Sequence, residues 1–230
     1  MKQSVSRPVS IRDRSKITLI EVAERLMSEH GIEGVSLRQI TTEAGHRNPA
    51  AVQYHFGSKE GLLRAIVEYR LPPLNARRLE LLDKVGDAPK SKQLRLLVEA
   101  IVRPLAELDT PGSQYVEFLA RLTADARLST AVFNSVSDDI GLSGRLVADT
   151  LHALLEDHLP AGIAENRRAL VMMFLVSGLA SHRHGTWGGG QLSEEEFLAD
   201  LIDAGVGLLA APASTRATTP PNRPPRARNR

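Results

Sequence analysis

The residue types that carry covalent or metal chemistry are sparse in this 230-residue chain and poorly placed for it. There is no cysteine, which removes disulfides, thiolate metal sites and thiol nucleophiles together. His182, Arg183 and His184 form the densest histidine cluster. An i, i+2 pair does not share a helix face, and no carboxylate stands at ligand spacing beside it, so it reads as a solvated or interface patch. His152 and His158 are no better placed. Gly188-Gly189-Gly190 follows no strand and lacks the Lys-Ser/Thr of a phosphate loop. A nucleophile elbow, a His-Glu-x-x-His helix and a dinucleotide fingerprint are also missing from the sequence. No catalytic residue, metal or cofactor is expected, and the chain does not read as an enzyme.

A different chemistry, recognition of a base edge and a phosphate, is available in residues 36–56. This stretch reads as a helix, a glycine-containing turn and a second helix, a unit whose two helices cross steeply. Val52 and Phe56, four apart, can pack inward. Ala50, Ala51, Gln53, Tyr54 and His55 are then left to face outward or to flank the contact. Small alanines let a backbone approach base edges, and Gln53 can bond adenine bidentately. Arg47 can reach guanine or a phosphate, while Ser36, Tyr54, His55 and Lys59 suit phosphates, which set register without reading sequence. Arg38 and Asn48 complete the candidate set. Helix amino ends at Ser36 and Ser58 add backbone donors for phosphate. On this geometry alone, an ordinary helical hairpin with a solvated face fits as well.

The elements that must position these residues are helical. Ile17, Ile20, Ala23 and Met27 mark an amphipathic helix over about residues 13–30, stopped by Gly31. Ser36 and Gln39 form a capping box for the next helix, which ends near Ala44-Gly45. Asn48-Pro49 opens a third helix, with Asn as cap and Pro at the first position. Ser58 caps a fourth, which Pro72-Pro73 is expected to kink or interrupt before Leu74–Val85. Beyond the loop at Gly86–Pro89, helices are expected at roughly 91–108, 112–126, 129–158, 163–185 and 194–210. The third of these contains Gly141 and Gly144 and can be two helices. No alternating strand pattern or internal repeat appears.

The formal net charge of +2 is unevenly distributed. Residues 1–16 carry +4 and residues 212–230 carry +5, which leaves −7 on the body between them. Contact with nucleic acid should therefore be local. No secretory leader opens the chain, and its longest apolar run, Leu170–Val176, falls far short of the ~20 residues of a membrane span. A soluble cytoplasmic protein is expected. From Pro212 onward, Pro, Thr, Ala and Arg dominate, the composition of a disordered tail.

Ala44-Gly45, followed by Ala50-Ala51-Val52-Gln53-Tyr54-His55-Phe56-Gly57-Ser58-Lys59-Glu60-Gly61-Leu62-Leu63, resembles the signature of TetR-family transcriptional regulators. The likeness extends over about residues 15–70 and includes Gly31, Ser36, Leu37 and Ile40. It departs from the family in the turn: His46-Arg47-Asn48-Pro49 is about one residue longer, and His46 stands where an apolar residue is usual. The resemblance implies an all-α homodimer with a three-helix DNA-binding domain containing the helix-turn-helix. A larger helical ligand-binding and dimerisation domain would follow, and the last two long helices would form a four-helix interface.

The resulting organisation is a basic arm (1–15), a DNA-binding domain (16–58), a linker helix region (59–85), an effector-binding and dimerisation domain (86–211) and a basic tail (212–230). Two late helices, around Leu170–Val176 and Phe197–Leu209, are apolar on more than one side, as suits one face toward the core and one toward a partner. Leu175, Phe197, Leu201, Ala204, Gly205 and Leu208 are the expected interface. Phe118, Phe133, Met172, Met173 and Trp187 are the expected lining of an effector pocket between the central helices. With only 4% aromatic residues, the effector is expected to be aliphatic. The function expected is a ligand-responsive repressor that an apolar effector releases from a palindromic double-stranded DNA operator. The alternatives are a constitutive architectural DNA binder and, more remotely, a helical enzyme.

Overall fold

The computed structural model describes residues 11–48, 50–108, 113–183, 185 and 192–214, with the side chains of Ile11 and Arg12 left aside. The basic arm before Ile11, Pro49, Trp187, the triple glycine and the tail beyond Ser214 lie outside the described residues. All regular structure among the described residues is helical: α1 (Ile11–His30), α2 (Leu37–Glu43), α3 (Ala51–Phe56), α4 (Lys59–Gly86), α5 (Lys90–Ala106), α6 (Tyr115–Thr123), α7 (Ala126–Ser135), α8 (Asp138–Glu156), α9 (Ala161–Arg183) and α10 (Glu194–Ala210).

The first three helices end where local chemistry requires it. Leu19, Ile20, Ala23, Leu26 and Met27 bury one stripe of α1, and Gly31 leaves the helix at a left-handed φ of 79°. The Ser36 hydroxyl then accepts from Gln39 N at 3.2 Å while Ser36 N donates to Gln39 Oε1 at 2.9 Å. This reciprocal pair starts α2 as the sequence predicts. Gly45, at φ 70°, turns the chain away, with its own N–H and that of His46 closing on the carbonyls of Thr42 and Thr41.

Of the kink or interruption expected at Pro72-Pro73, the interruption does not occur: α4 runs from Lys59 to Gly86 through both prolines. A proline inside a helix deletes one hydrogen bond and costs about 3 kcal/mol or more, so tertiary packing must hold this segment. Ile66, Val67, Leu74, Leu81 and Val85 are buried along it, and α4 packs against α1, α3, α5, α7 and α8. The 129–158 segment does divide, but at Val136-Ser137 and not at a glycine. Asp138 and Asp139 supply negative charge to the first turn of α8, and Gly141 and Gly144 lie within that helix.

The larger domain is closed by α5, α6, α9 and α10. Leu97, Val98, Ile101 and Val102 meet Val171, Leu175, Val176, Leu201 and Ile202 in one core. Glycines permit the approach: a Cβ on Gly178 would stand 2.8 Å from Leu201, and one on Gly205 would stand 2.9 Å from Leu175. Arg167 closes the last helix, donating to the carbonyls of Leu208 and Leu209 at 3.0 and 3.3 Å, groups that have no partner inside α10.

Candidate nucleic-acid interface

α3 is anchored from beneath and open above. Val52 and Ala51 are buried, and Phe56 is half-buried with the Lys16 ammonium 5.8 Å from its ring centre. Ala50 and Gln53 are exposed, and Tyr54 is 68% exposed. His55 is half-buried, its ring edge-on to Tyr54 at 5.1 Å. Ala51 therefore departs from expectation: its methyl belongs to the packed face, and the outward surface is made by Ala50, Gln53 and Tyr54.

The polar residues around α3 are engaged locally. Asn48 Oδ1 accepts from Ala50 N at 2.9 Å, an Asx turn that leads into α3; the helix itself starts at Ala51 with Ala50 at the cap position and no side-chain cap, so Asn48 is not the cap that the sequence predicts. Ser58 Oγ accepts from Gly61 N at 3.1 Å and starts α4. Gly57 between the two helices has φ 76°. A side chain on Gly61 would meet the Phe56 carbonyl oxygen at 2.0 Å, so the α3–α4 corner closes over a glycine. Backbone and Ser58 hydrogen bonds at this corner hold the Glu60 carboxyl below its usual range.

The unusual turn is tied down. His46 is half-buried and its Nε2 lies 3.2 Å from Ser15 Oγ on α1, so a polar contact holds the turn to the first helix. Arg38 and Arg47 are exposed, and Lys59 Nζ lies 3.8 Å from Glu33 Oε2 at the protein surface. Glu43 pairs with Arg25. Ser36, Arg38, Arg47, Gln53 and Tyr54 are thus all at the surface of one three-helix unit, with Lys59 at its edge.

A second polar site joins this unit to the rest of the chain, and the sequence reading missed it. Glu24 of α1 is 1% exposed and Arg70 of α4 is 6% exposed. Arg70 Nε and Nη2 donate to the two Glu24 oxygens at 2.7 and 3.0 Å, the bidentate geometry of a strong charge-assisted pair. Ser113 Oγ and Gln114 N, immediately before α6, add donors to Glu24 Oε1 at 3.1 and 3.0 Å. Ser28 contacts the Gln114 side chain as well. The available signal was periodicity: Glu24 falls on the apolar stripe of α1 and Arg70 on that of α4.

The four described effector candidates differ in burial and do not line one pocket among those observed. Phe118 is fully buried and stacks on Tyr115 at 6.2 Å between centroids. Phe133 and Met173 are exposed and Met172 is half-buried. An open cleft of about 320 Å³ instead lies between Phe56, Ser58, Gly61 and Arg64 on one side and Val132 and Ser135 of α7 on the other. The expected dimer residues also divide. Leu175, Phe197, Leu201 and Gly205 are buried within the protomer, because α9 and α10 press these faces against each other and α5. Ala204 is exposed and Leu208 half-buried. His182 lies flat on Phe197 at 3.7 Å, an intrachain contact for the histidine cluster. Among the described residues no three His, Asp or Glu side chains group as metal ligands, and no helix is long and apolar enough to cross a membrane.

Residues 19–66 match the family model described as bacterial regulatory proteins, tetR family. Among solved structures, the fatty acid degradation regulator FadR from Bacillus halodurans is 16% identical, with 85% of this chain and 95% of that one covered at a TM-score of 0.50. An alanine-substituted mutant of HlyIIR is likewise 16% identical, with 85% and 98% covered and a TM-score of 0.50. At such identity the likeness is one of fold. No curated protein matches the chain.

Proposed function

We propose that this chain, which belongs through residues 19–66 to the tetR family of bacterial regulatory proteins, works as a homodimeric repressor that a small molecule releases from its operator. The observation that carries the reading is the division of α3. Ala51 and Val52 dock while Gln53 and Tyr54 stand outward, as a helix entering a major groove requires. Gln53 reads adenine. Tyr54, Ser36, Arg38, Arg47 and Lys59 serve bases and phosphates around it, and Ala50 allows close approach.

Two copies meet through the faces of α9 and α10 that the protomer leaves uncovered. Leu170, Met173, Ala204 and Gly207 are exposed there, beside half-buried Phe174 and Leu208. The effector acts on α4, the one helix that belongs to both the DNA-binding unit and the body. It must favour the released arrangement, since a ligand with equal affinity for both states shifts neither. The protein works in the cytoplasm, beside its operator.

Capture of fragmented host DNA by the purified protein, followed by sequencing, tests the reading. A few sites sharing an inverted repeat are the expected result, and Gln53→Ala should weaken them by about 1–3 kcal/mol and relax one base position. Lys59→Ala should weaken all sequences alike and flatten the salt dependence. Retention of every fragment equally would mean an architectural binder, and retention of none would remove the DNA reading.

A further inference from the structure

The body of the protein contains a buried cation that has no counter-ion among the described residues. Arg78 of α4 is 8% exposed. Its Nε donates to the Ala100 carbonyl at 3.1 Å and its Nη1 to Ser143 Oγ at 3.2 Å. Ser143 in turn donates to Asn75 Oδ1 at 2.6 Å, and Asn75 Nδ2 donates to the Ile140 carbonyl at 2.6 Å. Every described partner in this chain of hydrogen bonds is neutral. The ionisable neighbour that acts on Arg78 is the Tyr115 phenol, and burial pushes the guanidinium's pKa down.

One part of this arrangement has a structural explanation. Pro104 sits four residues after Ala100 inside α5 and has no N–H to give its carbonyl, so Arg78 Nε replaces the missing donor. A neutral amide could do the same. The charge is what remains unexplained, because an isolated ion in an apolar interior is strongly unfavourable. Arg70, eight residues earlier on the same helix, shows the contrast: its carboxylate partner takes both donors. Around Arg78 the neighbouring turns are apolar, with Leu74 and Leu81 on α4, Leu97 and Ile101 on α5, and Val147 on α8, all buried.

We propose that Arg78 is the anchor of the effector site and that the effector is an amphiphilic organic anion, a carboxylate on an aliphatic chain. The carboxylate takes the counter-ion place at Arg78 between α4, α5 and α8, and the chain lies among the leucines, isoleucine and valine of those helices. This deepens the effector reading above and rests on it for the consequence at DNA, because the anchor sits on the helix that carries the DNA-binding unit.

Calorimetric titration of the full-length protein with decanoate, decan-1-ol and acetate tests it, with thermal unfolding as a second readout. Decanoate is expected to bind saturably and raise the Tm, and the alcohol and acetate to bind far more weakly. Arg78→Met should lower decanoate affinity by at least about 30-fold, while Arg64→Met, an exposed arginine on the same helix, should not change it. Should Arg78→Met fail to fold, Arg78→Lys keeps a charge but not the fork, and a loss of about tenfold or more is expected. No binding of decanoate, equal binding of decanoate and decan-1-ol, or equal binding by wild type and the Arg78 variants would each overturn the proposal. DNA capture on the same preparations separates the two readings. Decanoate binding without DNA retention removes the operator and keeps the site, and the reverse keeps the operator and removes the site.

Discussion

The junction between the DNA-binding unit and the body, and the interior of the body itself, bury polar groups in opposite ways. At the junction Glu24 receives four donors from α4 and from the segment before α6, so charge and hydrogen bonding are both matched. Among the described residues, Arg78 in the interior meets only neutral partners, and Glu117 Oε2 is buried without a hydrogen-bond partner. A matched buried pair favours one arrangement of the elements it joins, since separating it leaves two desolvated charges. An unmatched one holds polar capacity that a ligand can complete. The junction is therefore the rigid transmitter in this account and the interior is the receiver.

The comparison can be broken most directly at Glu24. Glu24→Ala should destabilise the protein by about 3–5 kcal/mol, because it leaves the Arg70 guanidinium buried without its carboxylate. Urea unfolding followed by circular dichroism measures this, and a loss below about 1 kcal/mol would mean that the junction is not what holds the two parts together. Ser58→Ala, which removes the cap of α4 at the same end of the molecule, should cost about 1 kcal/mol. Arg78→Met, by contrast, should stay within about 1 kcal/mol of wild type. It removes an uncompensated charge but exposes the Ala100 carbonyl to the loss of its donor, and the two effects oppose one another. A loss as large as that of Glu24→Ala would erase the distinction between the two arginines. The smallest effect is expected from Glu117→Gln, which should stabilise by up to about 1 kcal/mol, since it replaces a buried carboxylate whose Oε2 lacks a partner.

The N-terminal unit was legible residue by residue, because its boundaries are set by local chemistry. Ser36 with Gln39, Gly31, Gly45, Gly57 and Ser58 act over three or four residues, and each does in the structure what its type implies, whereas Asn48 forms a turn two residues ahead of α3 and not its cap. The outward set on α3 followed from the pairing of Val52 with Phe56, and Ala51 was misplaced because its small methyl gives periodicity little to work with. The body was less legible for the opposite reason. α4 continues through Pro72-Pro73 because five neighbouring helices pack on it, a tertiary effect that overrides a local rule.

Leu175, Phe197, Leu201 and Gly205 were expected at an interface between protomers and are buried within one, because nothing in their spacing distinguishes a face covered by α5 from one covered by a second protomer. Glu24, Arg70 and Arg78 were not singled out in the sequence. Their positions on apolar stripes were the one signal that they turn inward, and which of them has a partner depends on three elements far apart in the chain.

Repression as proposed requires α3 from two copies to enter one DNA duplex, and a hydroxyl-radical footprint of a captured operator tests that most directly. It predicts two protected patches on one face of the duplex, centred about 34–36 Å apart or a multiple of that spacing and related by the inverted repeat, both lost in Gln53→Ala under conditions where wild type binds. A single protected patch from one protomer, or uniform protection that Gln53→Ala leaves unchanged, would contradict it.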